Sequence, residues 1–149
     1  MSRAIQIISI GTLSKTFKPI AIDYQKMIKW QIKITEIVYS EKLPPTQIKQ
    51  FETKLITSRL NNKAVRIILD PNGKNVSSYD FAGLINNHIA SGIDFIIGGA
   101  FGLDHTLLES ISHKVSLSAM TFPHQIAKII LLEQIYRAQT ILTNHPYHK

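Results

Sequence analysis

The stretch IDFIIGGAFG, residues 93–102, decides the fold class of this chain. Four of its first five residues are apolar and a glycine-rich loop follows at once, which is typical of a strand buried on both faces. Residues 65–69 form a second apolar run, and residues 81–89 between the two carry apolar side chains at helical spacing. This order predicts a mostly parallel sheet covered by helices on both faces, an α/β fold.

The same alternation extends in both directions from this stretch. It predicts further strands at residues 4–10, 32–39 and 115–120, and further helices at residues 19–30, 48–61, 104–112 and 123–142. The chain has 149 residues and no internal repeat or linker, so we expect a single domain over residues 1–149.

The composition excludes several classes of protein. The absence of cysteine excludes disulfide frameworks, thiol chemistry and thiolate zinc sites, and it favours the cytoplasm. Charged side chains such as Lys128 and Glu133 interrupt the longest apolar stretch, so we expect no membrane span. His145 and His148 could suggest a metal site, but Pro146 lies between them and no acidic cluster completes the ligand set, so we expect no metal.

Positive charge is concentrated in the first half of the chain. Residues 1–74 carry 13 basic and five acidic side chains, a net charge of +8, whereas residues 75–149 have a net charge of −1. This asymmetry predicts either a surface that contacts a polyanion or a solvated face that keeps the protein soluble. The net charge of the whole chain, +7, favours a nucleic acid partner.

Turn-forming residues follow three successive predicted strands, at residues 70–73, 98–102 and 118–124. Because ligands of parallel sheets bind at the carboxyl ends of the strands, these loops are predicted to converge on one pocket. The glycine loop lacks the spacing of a dinucleotide-binding motif, and no Walker or G-x-S-x-G motif is present, so neither NTP hydrolysis nor a serine hydrolase is supported. Taken alone, the glycine loop could equally be a tight turn.

The last predicted helix, residues 123–142, carries apolar side chains on more than one face. One face packed on the sheet cannot bury them all. We therefore expect a homodimer interface on this helix, and the alternative is a helix wedged inside the core of one chain.

Four ordered segments add a more specific indication. They are IIGGAFGL at residues 96–103, LSAMTFPHQ at 117–125, YRA at 136–138 and NHPYH at 144–148. Together with the strand that ends at Gly11 and the turn at residues 69–73, they resemble the ribosomal RNA large subunit methyltransferase H family over nearly the whole chain.

The resemblance implies a SPOUT-class methyltransferase with a trefoil knot in its C-terminal part. Such an enzyme uses S-adenosyl-L-methionine as its cofactor, works as a homodimer and methylates ring N3 of a pseudouridine in 23S rRNA, which we expect to take place on the ribosome. Neither composition nor periodicity predicts the knot, because knotted chains are rare.

The resemblance also implies which residues form the site. Nine residues are expected to bind the cofactor: Leu69, Gly98, Gly99, Leu117, Ser118, Ala119, Met120, Thr121 and Phe122. The substrate side maps onto the segment 144–148. There, His148 or Tyr147 would assist the loss of the ring proton, and Arg137 would orient the substrate or neutralise charge. Lys149 stands where the family often has arginine, and lysine lacks the bidentate geometry of arginine.

Two other functions are compatible with the same basic surface. A non-enzymatic RNA-binding or ribosome-associated module would bind RNA without a cofactor. A SPOUT methyltransferase acting on transfer RNA would bind the same cofactor and yield a different product.

Overall fold

Five parallel strands form the centre of the molecule, of which the computed structural model describes residues 3–149. The strands are β1 (Ala4–Ile10), β2 (Gln31–Ile37), β3 (Val65–Asn75), β4 (Ile93–Ile97) and β5 (His113–Ser116). The helices are α1 (Lys18–Met27), α2 (Pro45–Thr57), α3 (Ser78–His88), α4 (His105–Ser110) and α5 (His124–Leu142). The first two residues of the expected domain, 1 and 2, lie outside the described residues.

The strand order in the sheet is β2-β1-β4-β3-β5, and every neighbouring pair of strands is parallel. All five residues of β4 are buried, as the apolar run had predicted for a central strand. The α/β fold with a parallel sheet is therefore confirmed.

Alternate residues of the central strands enter two separate cores, as the period of two along a strand requires. On one face, Ile67 and Phe95 pack beneath α1, α3 and α5, where the rings of Phe81 and Phe95 stack at 5.7 Å between centroids. On the other face, Ile68 and Ile96 pack beneath α2 and α4. Helices thus cover both faces of the sheet.

The last strand is shorter than predicted and begins earlier. The sequence pattern had placed it at residues 115–120, but β5 ends at Ser116. Beyond that point the Ser116 hydroxyl donates to the carbonyl of Ser118 at 2.8 Å, and the Met120 N–H donates to the Ser118 hydroxyl at 3.0 Å. Such local serine bonds compete with strand pairing and turn the chain, so residues 117–123 form a loop.

The long helix α5 is covered mainly by its own chain. It packs against α1 and α3, and Leu131, Leu132, Ile135 and Ala138 are fully buried. The alternative of a wedged helix therefore describes most of α5, and its apolar surface does not by itself require a partner. Ile126, near its N-terminus, remains 37% exposed. Within residues 3–149 no helix has both the length and the apolar character to cross a membrane.

Candidate functional site

Three loops at the carboxyl ends of β3, β4 and β5 enclose a cavity of about 520 Å³. They comprise residues 69–72, 97–103 and 116–122, and the start of α5 completes the wall. The strand order brings them together, because β4, β3 and β5 are neighbours and all end at the same edge of the sheet. The structure thus assembles the three loops that the sequence had singled out.

Eight of the nine residues expected to bind the cofactor line this cavity. They are Leu69, Gly98, Gly99, Leu117, Ser118, Met120, Thr121 and Phe122. The ninth, Ala119, is exposed and does not line the cavity. Ala119 lies within the turn that the Ser118 hydroxyl forms, and its place in the sequence did not indicate that it would lie outside the cavity wall.

The loop at residues 70–73 lies within β3, which leaves the sheet after Leu69 and returns to it at Lys74. Leu69 and Lys74 both pair with Val115 of β5, so the four residues between them are looped out. The carboxylate of Asp70 stabilises the loop by accepting the N–H of Asn72 at 2.9 Å. A glycine is needed at position 73, where a Cβ atom would lie 2.7 Å from the backbone carbon of Lys114.

Gly98 and Gly99, which follow β4, are required because neighbouring side chains pack closely against them. Gly102 has a φ of +80° and its N–H donates to the carbonyl of Gly99 at 2.9 Å, which closes a tight turn. A Cβ atom on Gly98 would touch the side chain of Leu103, and one on Gly99 would overlap the carboxylate of Glu52. Both Cβ positions therefore face neighbouring side chains of the same chain.

The cavity also includes residues that were not predicted to bind the cofactor. It is also lined by Lys49 of α2, Asp70 and His124, which introduce an ammonium, a carboxylate and an imidazole at an otherwise largely apolar site. Asp70 and His124 belong to the loops at residues 70–73 and 118–124 that were predicted to converge on the pocket, although neither was among the nine expected cofactor residues. No sequence signal indicated Lys49, because only the packing of α2 brings it to the cavity.

The chain reverses direction directly after α5. Asn144 has a φ of +56°, the N–H of His145 donates to the carbonyl of Thr140 at 2.9 Å, and the N–H of Asn144 donates to that of Ile141 at 3.3 Å. This is a Schellman cap. Its left-handed position is usually occupied by glycine and sometimes, as here, by asparagine. As a result, residues 145–149 fold back over the last turns of α5.

The returning tail packs on a charged network on α5. Glu133 Oε1 accepts from Arg137 Nη2 at 2.6 Å, from Arg137 Nε at 2.9 Å and from the Tyr147 hydroxyl at 3.1 Å. The Arg137 guanidinium also lies over the Tyr147 ring, 4.8 Å from its centroid, and the His148 ring packs edge-on against Tyr79 of α3. The structure therefore brings together all three predicted substrate-side residues, and Glu133 and Tyr79 join them.

This network raises the pKa of two of its members, Arg137 and Tyr147. Partial burial, together with the hydrogen bond to Glu133, raises the pKa of Tyr147 above its ordinary value. The hydrogen bond with Glu133 raises the pKa of Arg137, which stays a fixed cation. Tyr147 is thus a hydroxyl donor near neutral pH rather than a base.

The two histidines of the tail face different partners. His145 Nδ1 accepts from the N–H of Tyr147 at 3.2 Å, whereas His148 Nδ1 meets Arg137 Nη1 at 2.9 Å. Across residues 3–149, no cluster of three or more His, Asp or Glu side chains is arranged to hold a metal ion.

Within one chain the tail network does not line the cavity. Ala127 forms part of the cavity wall, and Arg137 lies ten residues further along α5. At 1.5 Å per residue, the two positions are about 15 Å apart along the helix axis.

The basic side chains of the first half lie on the surface. Six lysines recur every few residues in the N-terminal part of that half, and all are exposed: Lys15, Lys18, Lys26, Lys29, Lys33 and Lys42. They are distributed over α1, β2 and the adjoining loops, so they present positive charge without forming ion pairs of their own among residues 3–149.

Comparison with known proteins identifies the family. The sequence pattern of the family described as "Predicted SPOUT methyltransferase" matches residues 3–148. The chain is 37% identical over 153 residues to "Ribosomal RNA large subunit methyltransferase H" of Nitratidesulfovibrio vulgaris, covering 98% of each chain. It is 41% identical over 157 residues to the protein of the same name from Clostridium botulinum, covering 97% of this chain and 99% of that one. The chain belongs to the ribosomal RNA large subunit methyltransferase H family.

Solved structures agree with the SPOUT methyltransferase assignment at the level of the fold. A methylase family protein from Haemophilus influenzae has a TM-score of 0.60 at 12% identity, over 98% of this chain and 68% of that one. The SpoU methyltransferase AviRb from Streptomyces viridochromogenes, solved with AdoMet, has a TM-score of 0.51 at 10% identity, over 93% of this chain and 59% of that one. The resemblance inferred from the sequence motifs is confirmed.

Proposed function

We propose that this chain uses S-adenosyl-L-methionine to methylate ring N3 of a pseudouridine in 23S rRNA. Membership of the ribosomal RNA large subunit methyltransferase H family confirms the prediction of a methyltransferase and favours it over a non-enzymatic RNA-binding module. The observation that carries the proposal is the convergence of eight expected cofactor residues on one cavity at the edge of the sheet.

The residues of the cavity fit this cofactor. Its volume of about 520 Å³ lies within the range of small-molecule sites. Leu69 and Leu117 supply apolar walls for an adenosine, while Lys49 and Asp70 supply one cation and one anion for the amino acid end. When bound, S-adenosyl-L-methionine supplies a methyl group on a positively charged sulfur.

Arg137, Tyr147 and His148 would bind and orient the target base. The Tyr147 hydroxyl stays protonated because its pKa is raised, and His148 Nδ1 is engaged by Arg137. Both residues therefore present donors to the carbonyl oxygens of the base. The N3 proton leaves to solvent, and positioning supplies most of the rate acceleration.

We include a homodimer in the proposal. Ile20 and Met27, two turns apart on α1, are 41% and 43% exposed, and Tyr24 between them packs against Tyr136 of α5 at 6.5 Å between centroids. A second copy on this face would bury these side chains. The separation of about 15 Å between Arg137 and the cavity wall also favours a partner whose tail serves the neighbouring cavity.

We also infer a trefoil knot in the C-terminal part, as in the SPOUT class. The inference is supported by the close packing of the loop at residues 70–73 against β5, where even a Cβ atom on Gly73 would clash. Stretching the denatured chain by its two ends in an optical trap tests this directly. A knotted chain reaches a shorter contour length than 149 residues allow, whereas an unknotted chain reaches the full length.

The exposed lysines of the first half would contact rRNA phosphates, and recognition would depend mainly on RNA shape. We therefore propose that the protein acts in the cytoplasm, with the ribosome. Methyl transfer from labelled cofactor should be measured side by side on ribosomes, subunits and transfer RNA, with digestion of the product to identify the base. Label on a 23S pseudouridine supports the proposal, label on transfer RNA supports the alternative methyltransferase, and no label on any RNA rejects both.

A further inference from the structure

Glu52 is a buried acid with only half of its carboxylate engaged. It lies on α2 and is 4% exposed. Its Oε2 accepts the hydroxyl hydrogen of Tyr39 at 2.8 Å, whereas Oε1 has no hydrogen-bond partner among residues 3–149. Buried polar atoms are nearly always paired, because an unpaired one destabilises the fold. An unpaired carboxylate oxygen therefore needs an explanation.

The free oxygen faces the glycine loop of the cavity. A Cβ atom built on Gly99 would overlap Oε1 before any other atom of the chain. Gly99 lines the cavity and Glu52 does not. The loop therefore lies between the carboxylate and the cavity, so that Glu52 supports the loop from behind.

The neighbouring residue already binds the other end of this loop. The hydroxyl oxygen of Thr53 accepts the N–H of Asp104 at 2.9 Å. The last turns of α2 thus hold the loop at Asp104 and direct an unused acceptor at Gly99. Tyr39 fixes that acceptor in place through Oε2.

We propose that Glu52 is a positioning residue for the cofactor. Its Oε1 accepts a backbone N–H from residues 98–102 when the cofactor binds, and so holds the loop in its binding conformation. A bond made only in the bound state adds to cofactor affinity, and in the free state it leaves the acceptor unpaired. The proposal rests on the proposed function, because it requires that the cavity bind S-adenosyl-L-methionine.

A purely structural role for Glu52 makes the opposite prediction about stability. A structural carboxylate would lower stability when removed, and any loss of cofactor affinity would follow from that loss. If the free oxygen serves cofactor binding, replacing Glu52 by an apolar side chain of similar size removes the whole buried carboxylate with its unpaired atom, and the hydroxyl of Tyr39, a half-buried residue, can bond water instead. The free protein should then be as stable as before or more stable.

The test compares Glu52→Leu, Glu52→Gln and the unmodified chain. Thermal unfolding is measured without cofactor, S-adenosyl-L-methionine affinity by calorimetry, and amide hydrogen exchange on a peptide covering residues 98–103. We expect Glu52→Leu to keep its unfolding temperature, bind the cofactor roughly tenfold or more weakly, and lose the protection that the cofactor gives the loop. Glu52→Gln keeps a carbonyl acceptor and should recover most of the affinity. Glu109→Gln, at an exposed acid on α4, is the matched control and should change nothing.

The outcomes separate this proposal from the proposed function. If the unmodified chain does not bind S-adenosyl-L-methionine, both are overturned. If it binds and Glu52→Leu binds equally well, only the role of Glu52 is overturned. The same holds if Glu52→Leu is less stable or does not fold, because the carboxylate is then structural.

Discussion

Arg137 Nη1 and His148 Nδ1 lie 2.9 Å apart, although one residue belongs to α5 and the other to the tail beyond it. A guanidinium has donors only, so Nδ1 accepts and the ring proton of His148 lies on Nε2. The contact therefore fixes the tautomer as well as the position of the imidazole. It leaves Nε2–H as the group of His148 that is free to meet a substrate.

Arg137→Lys should impair methyl transfer and leave cofactor binding intact. Arg137 bonds Glu133 and His148 at the same time through different nitrogens, and the single ammonium of lysine cannot reproduce that fork. We expect kcat to fall by roughly tenfold or more, with an unchanged Kd for S-adenosyl-L-methionine. Arg59→Lys, at an exposed arginine on the basic half, is the control. Equal effects of the two substitutions would refute a specific role for Arg137.

Gly99→Ala should weaken cofactor binding. The added Cβ atom overlaps the Glu52 carboxylate, so either the carboxylate or the loop must move. We expect the Kd for S-adenosyl-L-methionine, measured by calorimetry, to rise by roughly tenfold. Gly83→Ala on α3 is the matched control, because its Cβ atom would meet nothing within 4 Å. It should leave the Kd unchanged and stabilise the helix by about 0.5 to 1 kcal/mol.

Local patterns predicted most of the fold and part of the site. The apolar run 93–97 and the turn residues after it were sufficient to locate a central strand and a cavity loop, because both depend on neighbours in sequence. Lys49 and Glu52 were missed, since Lys49 reaches the cavity and Glu52 reaches the glycine loop only through the packing of α2. The docking of the tail on Glu133 was also missed. It depends on the left-handed backbone conformation of Asn144, which reverses the chain after α5.

Tyr39→Phe should change how stability depends on pH. Donation of the Tyr39 hydroxyl to the Glu52 carboxylate raises the pKa of Tyr39. A pKa that is higher in the folded state contributes stability below the unfolded value, near about 10, and that contribution is lost as the pH rises through the folded value. The unmodified chain should therefore lose stability more steeply than Tyr39→Phe as the pH rises above about 10, as measured by urea unfolding.

At neutral pH the same substitution should cost about 1 to 2 kcal/mol, because it leaves both oxygens of the buried Glu52 carboxylate without a hydrogen-bond partner among residues 3–149, whereas Glu52→Leu removes that carboxylate. Tyr79→Phe, at a ring that is 64% exposed, is the matched control. Parallel stability curves for Tyr39→Phe and the unmodified chain would show that the Tyr39 hydrogen bond does not contribute.

Ile20→Glu should convert the proposed homodimer to a monomer. Ile20 lies on the face of α1 that continues onto α5 through Tyr24 and Tyr136, and a carboxylate buried there would lack a partner. The mass is measured by light scattering at micromolar concentration. Ile22→Glu is the control. Ile22 is similarly exposed, at 45%, and it lies on a different face of α1 because it is two positions along the helix from Ile20. A monomeric mass for the unmodified chain would rule out the proposed homodimer.

Deletion of residues 147–149 should abolish methyl transfer and spare the rest of the protein. The deleted segment contributes an aromatic ring, an imidazole and a terminal cation, but it packs on the outside of α5 and α3 rather than in the core. We expect the dimer to persist and cofactor affinity to weaken by no more than about threefold, which corresponds to less than about 1 kcal/mol. Methyl transfer to ribosomes should fall at least about a hundredfold. A truncated chain that methylates ribosomes at the unmodified rate would show that the tail is not needed for catalysis. His124, which lines the cavity, would then be the next residue to test.

Mixing two inactive chains shows whether the tail acts on its own cavity or on that of its partner. One chain lacks residues 147–149 and keeps its cavity, and the other carries Gly99→Val and keeps its tail. About 15 Å of α5 separates Arg137 from the cavity wall within one chain, so we expect the tail to act across the dimer. A mixed dimer then contains one complete site, and unfolding and refolding the two chains together should restore methyl transfer to a substantial fraction of the unmodified rate. If the tail serves its own cavity, neither site in a mixed dimer is complete and the mixture stays inactive.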